Sequence, residues 1–492
     1  MTELPESLYR PEDVRELDRC AMEEHDLGDG RLMERAGRVA YRILRRRWPD
    51  ARRVLVLCGG GNNGGDGYVV ARLAVRDGLE VTLAPLSDPE RLRGDAARAA
   101  RRCLAERAAS AFDPGQAGNA DVIVDALLGT GLDRPVAGRY AEAIGAVNDS
   151  AAGVLAVDIP SGINGATGQR LGHAVRADVT PTFIGLKQGM FTGDAPDHVG
   201  EVVFDDLGVP AAVYDAARPS ARLVGAAHIR NWLPPRPRSA HKGRYGHVLV
   251  VGGDHGMGGA ARMAAEAAAR AGAGLVSVAT RREHVPAILA ARPELMVRGA
   301  DSPGDIDALL ERASVVAVGP GLGRDAWGRE MLARVERFSG PVLMDADALN
   351  LLAEGTAEAR AKRVLTPHPG EAARLLGTTV PEIMADRFQS ASRLQQRYGG
   401  CVVLKGAGTV VATGEEGIWV CDRGNPGMAT GGMGDVLSGV VAGLLAQALS
   451  PSQAAVAGVW LHGRAADLAA EDGERGMLAT DLLPHLRRLA NP

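Results

Sequence analysis

Two glycine-rich acidic segments stand far apart in this chain: Asn62-Asn63-Gly64-Gly65-Asp66-Gly67 and Ala429-Thr430-Gly431-Gly432-Met433-Gly434-Asp435. An apolar stretch of helical spacing runs out of each. The first follows the strand-like run Val54-Leu55-Val56-Leu57-Cys58, and the second opens a helix expected to start near Val436. Unpaired N–H groups in a first helical turn, with the helix dipole behind them, favour an anion. Glycine lets that backbone approach a phosphate with no Cβ in the way. The residues therefore predict two phosphate sites in two domains.

Around the first segment, Asp125 ends the run Val122-Ile123-Val124 and Asp158 ends Val154-Leu155-Ala156-Val157. A carboxyl at the end of an apolar strand is partly desolvated, which raises its pKa and suits it to proton transfer. The plainer role, capping the turn that follows, needs neither Asn62-Asn63 nor Ser161 nearby. Gly129-Thr130-Gly131-Leu132-Asp133-Arg134-Pro135 forms a second polar loop, with Arg134 as its anion ligand. Asn63, Asp125 and Ser161 supply only oxygen donors, a set that suits a hard cation better than zinc.

In the second half, polar groups again follow short apolar runs: Gly319-Pro320-Gly321-Leu322-Gly323, Asp345-Ala346-Asp347, Thr366-Pro367-His368-Pro369-Gly370-Glu371 and Lys405-Gly406-Ala407-Gly408-Thr409. Asp435 falls at a helix N-terminus beside backbone donors. There it can take an acceptor's proton while the loop holds a transferring phosphoryl group, or serve simply as an N-cap.

Lysine is nearly absent, four residues against fifty-two arginines. Where arginine has replaced lysine almost everywhere, a remaining lysine points to a task that a compact, titratable charge performs and a guanidinium does not. Lys187, Lys242 and Lys405 lie in glycine-flanked segments, whereas Lys362 reads as surface.

Strand-like and helical runs alternate throughout, the pattern of an α/β fold with mainly parallel sheets. The 492 residues exceed what one core usually fills. The pattern lapses into Ala, Pro and Ser near residues 210–225, so the expected division is 1–218 and 219–492, with no internal repeat. The net charge of −4 and the lack of a basic tract argue against nucleic acid as a partner; Arg45-Arg46-Arg47 reads as a solvated helix end. No apolar run reaches the roughly 18 residues that span a bilayer. Met1-Thr2-Glu3-Leu4-Pro5 is acidic and lacks a signal-peptide core. Five cysteines without C-x-x-C spacing fit a reducing cytosol. The expectation is a cytoplasmic enzyme acting on small molecules, without a membrane partner and assembled as a homo-oligomer.

Leu32-Met33-Glu34-x-Ala36-Gly37, Asn62-Asn63-Gly64-Gly65-Asp66-Gly67-Tyr68, Val124-Asp125-Ala126-Leu127-Leu128-Gly129-Thr130-Gly131 and Asp158-Ile159-Pro160-Ser161-Gly162 together resemble NAD(P)H-hydrate epimerase, over roughly residues 10–215. That resemblance implies a Rossmann-like domain with potassium at Asn63, Asp125 and Ser161. It implies a hydrated dinucleotide held by Asn62, Asn63, Gly64, Gly65 and Asp66, by the loop from Gly129 to Pro135, and by Asp158; proton transfer by Asp158 is the candidate catalytic step, and ion-assisted positioning with solution-like chemistry is equally consistent. Lys187 fits the family pattern without an assigned contact.

His241-Lys242-Gly243, Gly252-Gly253-Asp254-His255-Gly256, the Thr366–Glu371 segment and Gly431–Asp435 look like ADP-dependent NAD(P)H-hydrate dehydratase on a ribokinase-like fold, over roughly residues 225–490. The implication is that Ala260, Gly321, His368 and Asp435 face the hydrate. Lys405, Gly406, Ala407, Gly408, Thr409 and Gly434 would lie at the adenine nucleotide, with ADP and Mg2+ as cofactors and Asp435 as general base. Met433 stands where kinases of this fold commonly carry a hydroxyl. The substrates implied are NADH or NADPH hydrated at C6, epimerised by the first domain and dehydrated by the second. Two alternatives remain at this point: a small-molecule kinase for the second domain, and a non-catalytic nucleotide-binding module for the first.

Overall fold

Alternation within one strand shows how the first half is built. In Arg53–Cys58, Val54, Val56 and Cys58 enter one apolar core, while Leu55 and Leu57 enter another on the opposite face. A strand covered on both sides is apolar at every position, which is why this run is continuous in the sequence. The computed structural model describes residues 4–355 and 358–492; Met1, Thr2 and Glu3 of the N-terminal segment read above lie outside them. The chain forms two compact units, Met1–Arg222 and Leu223–Pro492.

The first unit carries a six-stranded parallel sheet in the spatial order Glu80–Pro85, Arg53–Cys58, Val122–Ala126, Gly153–Ala156, Val179–Phe183, Glu201–Asp205. Strand order reverses between Arg53–Cys58 and Val122–Ala126. That is the switch point, where connections leave toward opposite faces and open a crevice. Helices Pro11–Glu23, Arg31–Arg47, Asn62–Arg76 and Gly94–Leu104 contribute to the core on one face, and Arg139–Asn148 to the other. A short parallel pair, Ser7–Tyr9 with Leu186–Lys187, sets Tyr9 opposite Lys187.

The second unit has strands in the order Met296–Gly299, Leu275–Thr280, His247–Val251, Val315–Val318, Val342–Met344, Arg363–Leu365, Cys401–Leu404, Thr409–Ala412, Ile418–Cys421. The first seven run parallel, Thr409–Ala412 turns back antiparallel to Cys401–Leu404, and Ile418–Cys421 pairs antiparallel with it in turn. Its switch point lies between His247–Val251 and Val315–Val318, so the loops at Gly252 and Gly319 face one crevice.

The two glycine segments differ in detail from the sequence expectation. Asn62 to Gly67 are already helical, inside the first turns of Asn62–Arg76. The second helix begins at Met433, three residues before Val436, and follows Gly432, whose φ of 91° suits glycine. Asp435 is therefore a first-turn residue and not the N-cap. Asp158 lies two residues past its strand, at φ +66°.

Helix Met433–Ala446 packs on helix Gly258–Ala271 through glycines. A Cβ at Gly439 would lie 2.0 Å from the carbonyl oxygen of Ala264, and one at Gly443 would lie 2.6 Å from that of Ala268. Helix propensity alone would make Gly439→Ala stabilising by about 1 kcal/mol. A Cβ driven into backbone costs more, and the expected result is a net loss of about 1–3 kcal/mol, read as a lower melting temperature of the full chain.

Candidate active sites

At the first switch point, Gly59 N–H donates to the Ala126 carbonyl at 2.9 Å, closing the strand end. A Cβ at Gly64 would lie 2.2 Å from the Gly59 oxygen, so the helix start can sit this close only as glycine. Asp125 is fully buried. Its carboxylate accepts from Ser161 Oγ at 2.6 Å, Ser161 N–H at 2.8 Å and Leu127 N–H at 3.2 Å. Burial outweighs these donors and pushes its pKa up to about 6. Ser161 Oγ also accepts from Leu128 N–H at 2.8 Å.

Asn63 lies alongside: a Cβ at Gly129 would be 3.1 Å from that of Asn63. Both atoms of its side-chain amide are buried without a hydrogen-bond partner among the described residues. An unpaired buried amide is costly. Together with a carboxylate and a hydroxyl it makes an oxygen donor set that fits a hard cation. Asp133, Arg134 and Pro135 of the second loop are exposed, whereas Leu132 packs partly buried against the core.

Asp158 belongs to a different group. Lys187 is fully buried, and its Nζ donates to Asp158 Oδ1, to Thr182 Oγ1 at 3.0 Å and to the Phe183 carbonyl at 3.5 Å. Phe183 N–H adds a 3.3 Å bond to the same carboxylate oxygen. Two more carboxyls feel the charges of this pair. Burial raises Asp66 well above the ordinary range, helped by the charges of Asp158 and Asp18. Asp18, from helix Pro11–Glu23, is raised by burial to about 7, with Lys187 opposing and Asp158 adding to the rise. Nothing in the sequence marked Asp18, because it sits within a helix and ends no strand.

In the second unit, Ala260 and Gly321 adjoin across the crevice. A Cβ at Gly321 would be 3.2 Å from that of Ala260, and Gly321 adopts φ +59°. Gly323 N–H donates to Asp347 at 3.0 Å, tying this loop to the segment after Val342–Met344. Asp345 is buried, and its two oxygens accept from Lys405 Nζ at 2.7 Å and Ser438 Oγ at 2.8 Å. Lys405 also lies 3.8 Å from Glu371. Glu371 Oε2 accepts from His368 N–H at 2.8 Å, and His368 Nε2 lies 3.3 Å from Glu371 Oε1. A Cβ at Gly434 would lie 3.3 Å from both Lys405 Nζ and Asp345 Oδ2.

The electrostatics follow from that crowding. Burial, with Asp345 and Asp347 adding to it, raises Asp435 to about 7 against the pull of Lys405. Burial likewise raises Glu371 to about 7. Lys405 is raised despite its desolvation, because Asp345, Glu371 and Asp435 surround it. His368 is lowered by burial and by Lys405. Lys242, singled out with Lys187 and Lys405, is instead exposed in a short turn.

The Lys405–Thr409 loop rests on Arg387, which is buried and donates to the carbonyls of Leu404 at 3.1 Å, Lys405 at 3.2 Å and Gly408 at 3.5 Å. Burial lowers its pKa to about 10. Asp345 follows the strand-end rule that marks Asp125 and Asp158; Ser438 and Arg387 lie inside helices and carry no such signal.

Comparison with known proteins decides the family. Residues 248–488 match the family model described as NAD(P)H-hydrate dehydratase, and residues 29–189 match that of the YjeF-related protein N-terminus. The chain is 50% identical to the bifunctional NAD(P)H-hydrate repair enzyme of Coxiella burnetii, covering 99% of each chain. It is 49% identical to the one of Escherichia coli, over 99% of this chain and 95% of that one. The chain belongs to the bifunctional NAD(P)H-hydrate repair enzymes. An ADP/ATP-dependent NAD(P)H-hydrate dehydratase from Bacillus subtilis, co-crystallised with ATP and Mg2+, aligns with 33% identity and a TM-score of 0.50, covering 54% of this chain and 96% of that one. The repair-enzyme fold is thus the expected α/β pair, with a ribokinase-like second unit.

Arg387 gives a test of the loop. Replacing it with leucine leaves three carbonyls without their donor, and buried unsatisfied groups cost about 1–3 kcal/mol each. The expected outcome is a loss of about 3 kcal/mol in urea unfolding, with faster amide exchange confined to residues 405–409.

Proposed function

We propose that this enzyme repairs NADH and NADPH hydrated at C6 of the nicotinamide ring: the first unit interconverts the R and S hydrates, and the second dehydrates the S form at the expense of ADP. The observation that carries the reading is Asp435. It is a raised carboxyl in the first turn of a glycine-led helix, next to Lys405, among residues that the family resemblance sets at substrate and nucleotide. Asp435 takes the proton of the C6 hydroxyl as that oxygen attacks the transferring phosphoryl group, giving a C6 phosphate ester and AMP. The ring-nitrogen electron pair then expels inorganic phosphate, and loss of the C5 proton restores the dihydropyridine. A hydroxyl is a poor leaving group and phosphate a good one, so a dehydration consumes a nucleotide. Lys405 through Thr409 and Gly434 hold that nucleotide, and Ala260, Gly321 and His368 hold the hydrate. Magnesium, when bound, neutralises charge on the phosphates; Asp345 and Glu371 are the oxygen donors beside Lys405.

In the first unit, Asn62 to Asp66, Gly129 to Pro135 and Asp158 hold the dinucleotide, and Asp158 moves the proton. Potassium would take the oxygens of Asn63, Asp125 and Ser161 and fix the strand ends around the crevice. The partners are therefore small molecules, which suits an enzyme of the cytoplasm. No helix among the described residues is long and apolar enough to cross a membrane.

The deciding assay is the return of near-ultraviolet NADH absorbance from mixed R and S hydrates with ADP, magnesium and potassium. Full recovery by the intact chain, and none by Asp435→Ala, is the expected result. A stable phosphate ester in place of recovered NADH would make the second unit a kinase. Because Asp435 must be ionised to act, the rate on S hydrate falls as pH drops below about 7, approaching tenfold per pH unit.

Potassium gives an independent check. Exchanging choline chloride for potassium chloride raises the melting temperature by about 2–4 °C for each kcal/mol of binding. Asn63→Ala and Asp125→Asn abolish that rise.

A further inference from the structure

Glu266 is the one acidic residue of helix Gly258–Ala271, and it is buried. Three arginines gather on its carboxylate. Arg262, one turn earlier, donates through Nη1 to Oε2 at 3.1 Å. Arg292, at the end of helix Val285–Ala291, brings Nη2 to 2.5 Å from Oε1. Arg270, one turn later, brings its Nη2 to 3.9 Å from the same oxygen. These four residues, with Thr480, Leu483 and Pro484 of the C-terminal segment, line a cavity of about 250 Å³.

The charges around that cavity do not balance. Three guanidiniums meet one carboxylate, and together they carry more N–H donors than it can accept. Arg292 Nε is buried and has no hydrogen-bond partner among the described residues. Among those residues no second carboxylate lines the cavity. Asp481, beside Thr480, accepts from Leu478 N–H at 2.8 Å, and Glu294 is exposed outside the lining. A brace between two helices needs one arginine on the carboxylate. The surplus cations and the unpaired donor call for an oxygen-rich anion.

Size narrows the class of that anion. Sites that enclose drug-sized ligands occupy about 300–1,000 Å³, so this cavity is too small for a whole dinucleotide. A guanidinium fork pairs two N–H groups with two oxygens of a phosphate, and a tetrahedral oxyanion can meet several forks from different sides. Thr480 brings a hydroxyl that can donate to the same group.

We propose that Arg262, Arg270, Arg292 and Thr480 form a second anion site, for inorganic phosphate or diphosphate, with Glu266 holding the three guanidiniums around it. None of these residues belongs to the nucleotide or hydrate sets assigned above, so the proposal stands apart from the repair reading. The site nonetheless adjoins the loop that carries Asp435. A Cβ at Gly432 would lie 2.7 Å from Met263 Cε and 3.1 Å from Ala479 Cβ. Met263 follows Arg262 and Ala479 precedes Thr480, so a bound anion ties together the two segments on which Gly432 rests.

The test is a calorimetric titration of the full chain with inorganic pyrophosphate, free of magnesium and at constant ionic strength. Pyrophosphate held by the Lys405–Thr409 loop appears alike in every chain and subtracts. Arg270→Gln and Arg292→Gln each weaken the remaining component about tenfold or more, as loss of one charge-assisted hydrogen bond requires. Arg329→Gln, which removes an exposed guanidinium paired with Glu354, leaves it unchanged. A cooperative melt without ligand shows that each variant is folded. Should Arg292→Gln melt too early, Arg270→Gln carries the test, because its contact with Glu266 is the longest of the three. Equal binding by all four chains, or no such component in the wild type, overturns the proposal. So does a self-associated wild type that Arg270→Gln dissociates and pyrophosphate does not, since an acidic segment of a second copy then fills the cavity.

Discussion

A buried ammonium surrounded by more carboxylates than it can neutralise organises each unit. In the first it is Lys187 among Asp158, Asp66 and Asp18. In the second it is Lys405 among Asp345, Glu371 and Asp435. Removing water strengthens both the attraction between unlike charges and the repulsion between like ones. The outcome is a site with one strong ion pair and carboxyls left over, raised to about 7 at Asp18, Glu371 and Asp435. Such carboxyls exchange protons near neutral pH, which acid–base chemistry needs. Asp125 is a contrasting case. It is buried without a lysine, and its neighbours are a serine, backbone donors and an asparagine with an unpaired amide.

These clusters need carboxyls from several elements to meet, and the sheets arrange it. In each unit the reversal of strand order opens a crevice at the strand carboxyl ends. Glycine lets backbone close around that crevice: Gly64 lies against the Gly59 carbonyl, and Gly321 against Ala260. A side chain at either position would wedge apart the loops whose polar groups must converge. The high glycine content, 64 residues in 492 against a usual fraction of roughly 7%, is therefore partly a requirement of the sites.

How much of this was legible depended on whether a residue's role is local. A carboxyl ending an apolar strand is visible in sequence, and Asp125, Asp158 and Asp345 follow that rule. The glycine segments were visible too, although the first proved helical from Asn62. The α/β class followed from alternation, because doubly covered strands read as continuous apolar runs. Asp18 was not legible. Its significance comes from the packing of helix Pro11–Glu23 against Gly185, a contact between residues far apart in sequence. Ser438 and Arg387 were hidden for the same reason, each reaching from a helix interior to a distant loop. Lysine scarcity says nothing about exposure: Lys187 is buried, Lys405 is half-buried beside Asp345, and Lys242 is exposed.

The contrast between the buried lysines and buried arginines explains why these two positions escaped the chain's preference for arginine. Arg387 spends its planar fork on carbonyls spread along one loop, at Leu404, Lys405 and Gly408. Lys187 instead points a single tetrahedral donor at a carboxylate, a hydroxyl and a carbonyl gathered around one atom. Lys405 meets Asp345 and Glu371 in the same way, with Gly434 close above it. A guanidinium is wider, flat and permanently charged. It would need room that Thr182 and Phe183 occupy around Lys187, and it would spread its charge away from the Asp158 carboxylate oxygen that the ammonium contacts. Where a carbonyl surface has to be tied down, arginine serves; where charge must be focused on one carboxylate among several, only lysine fits.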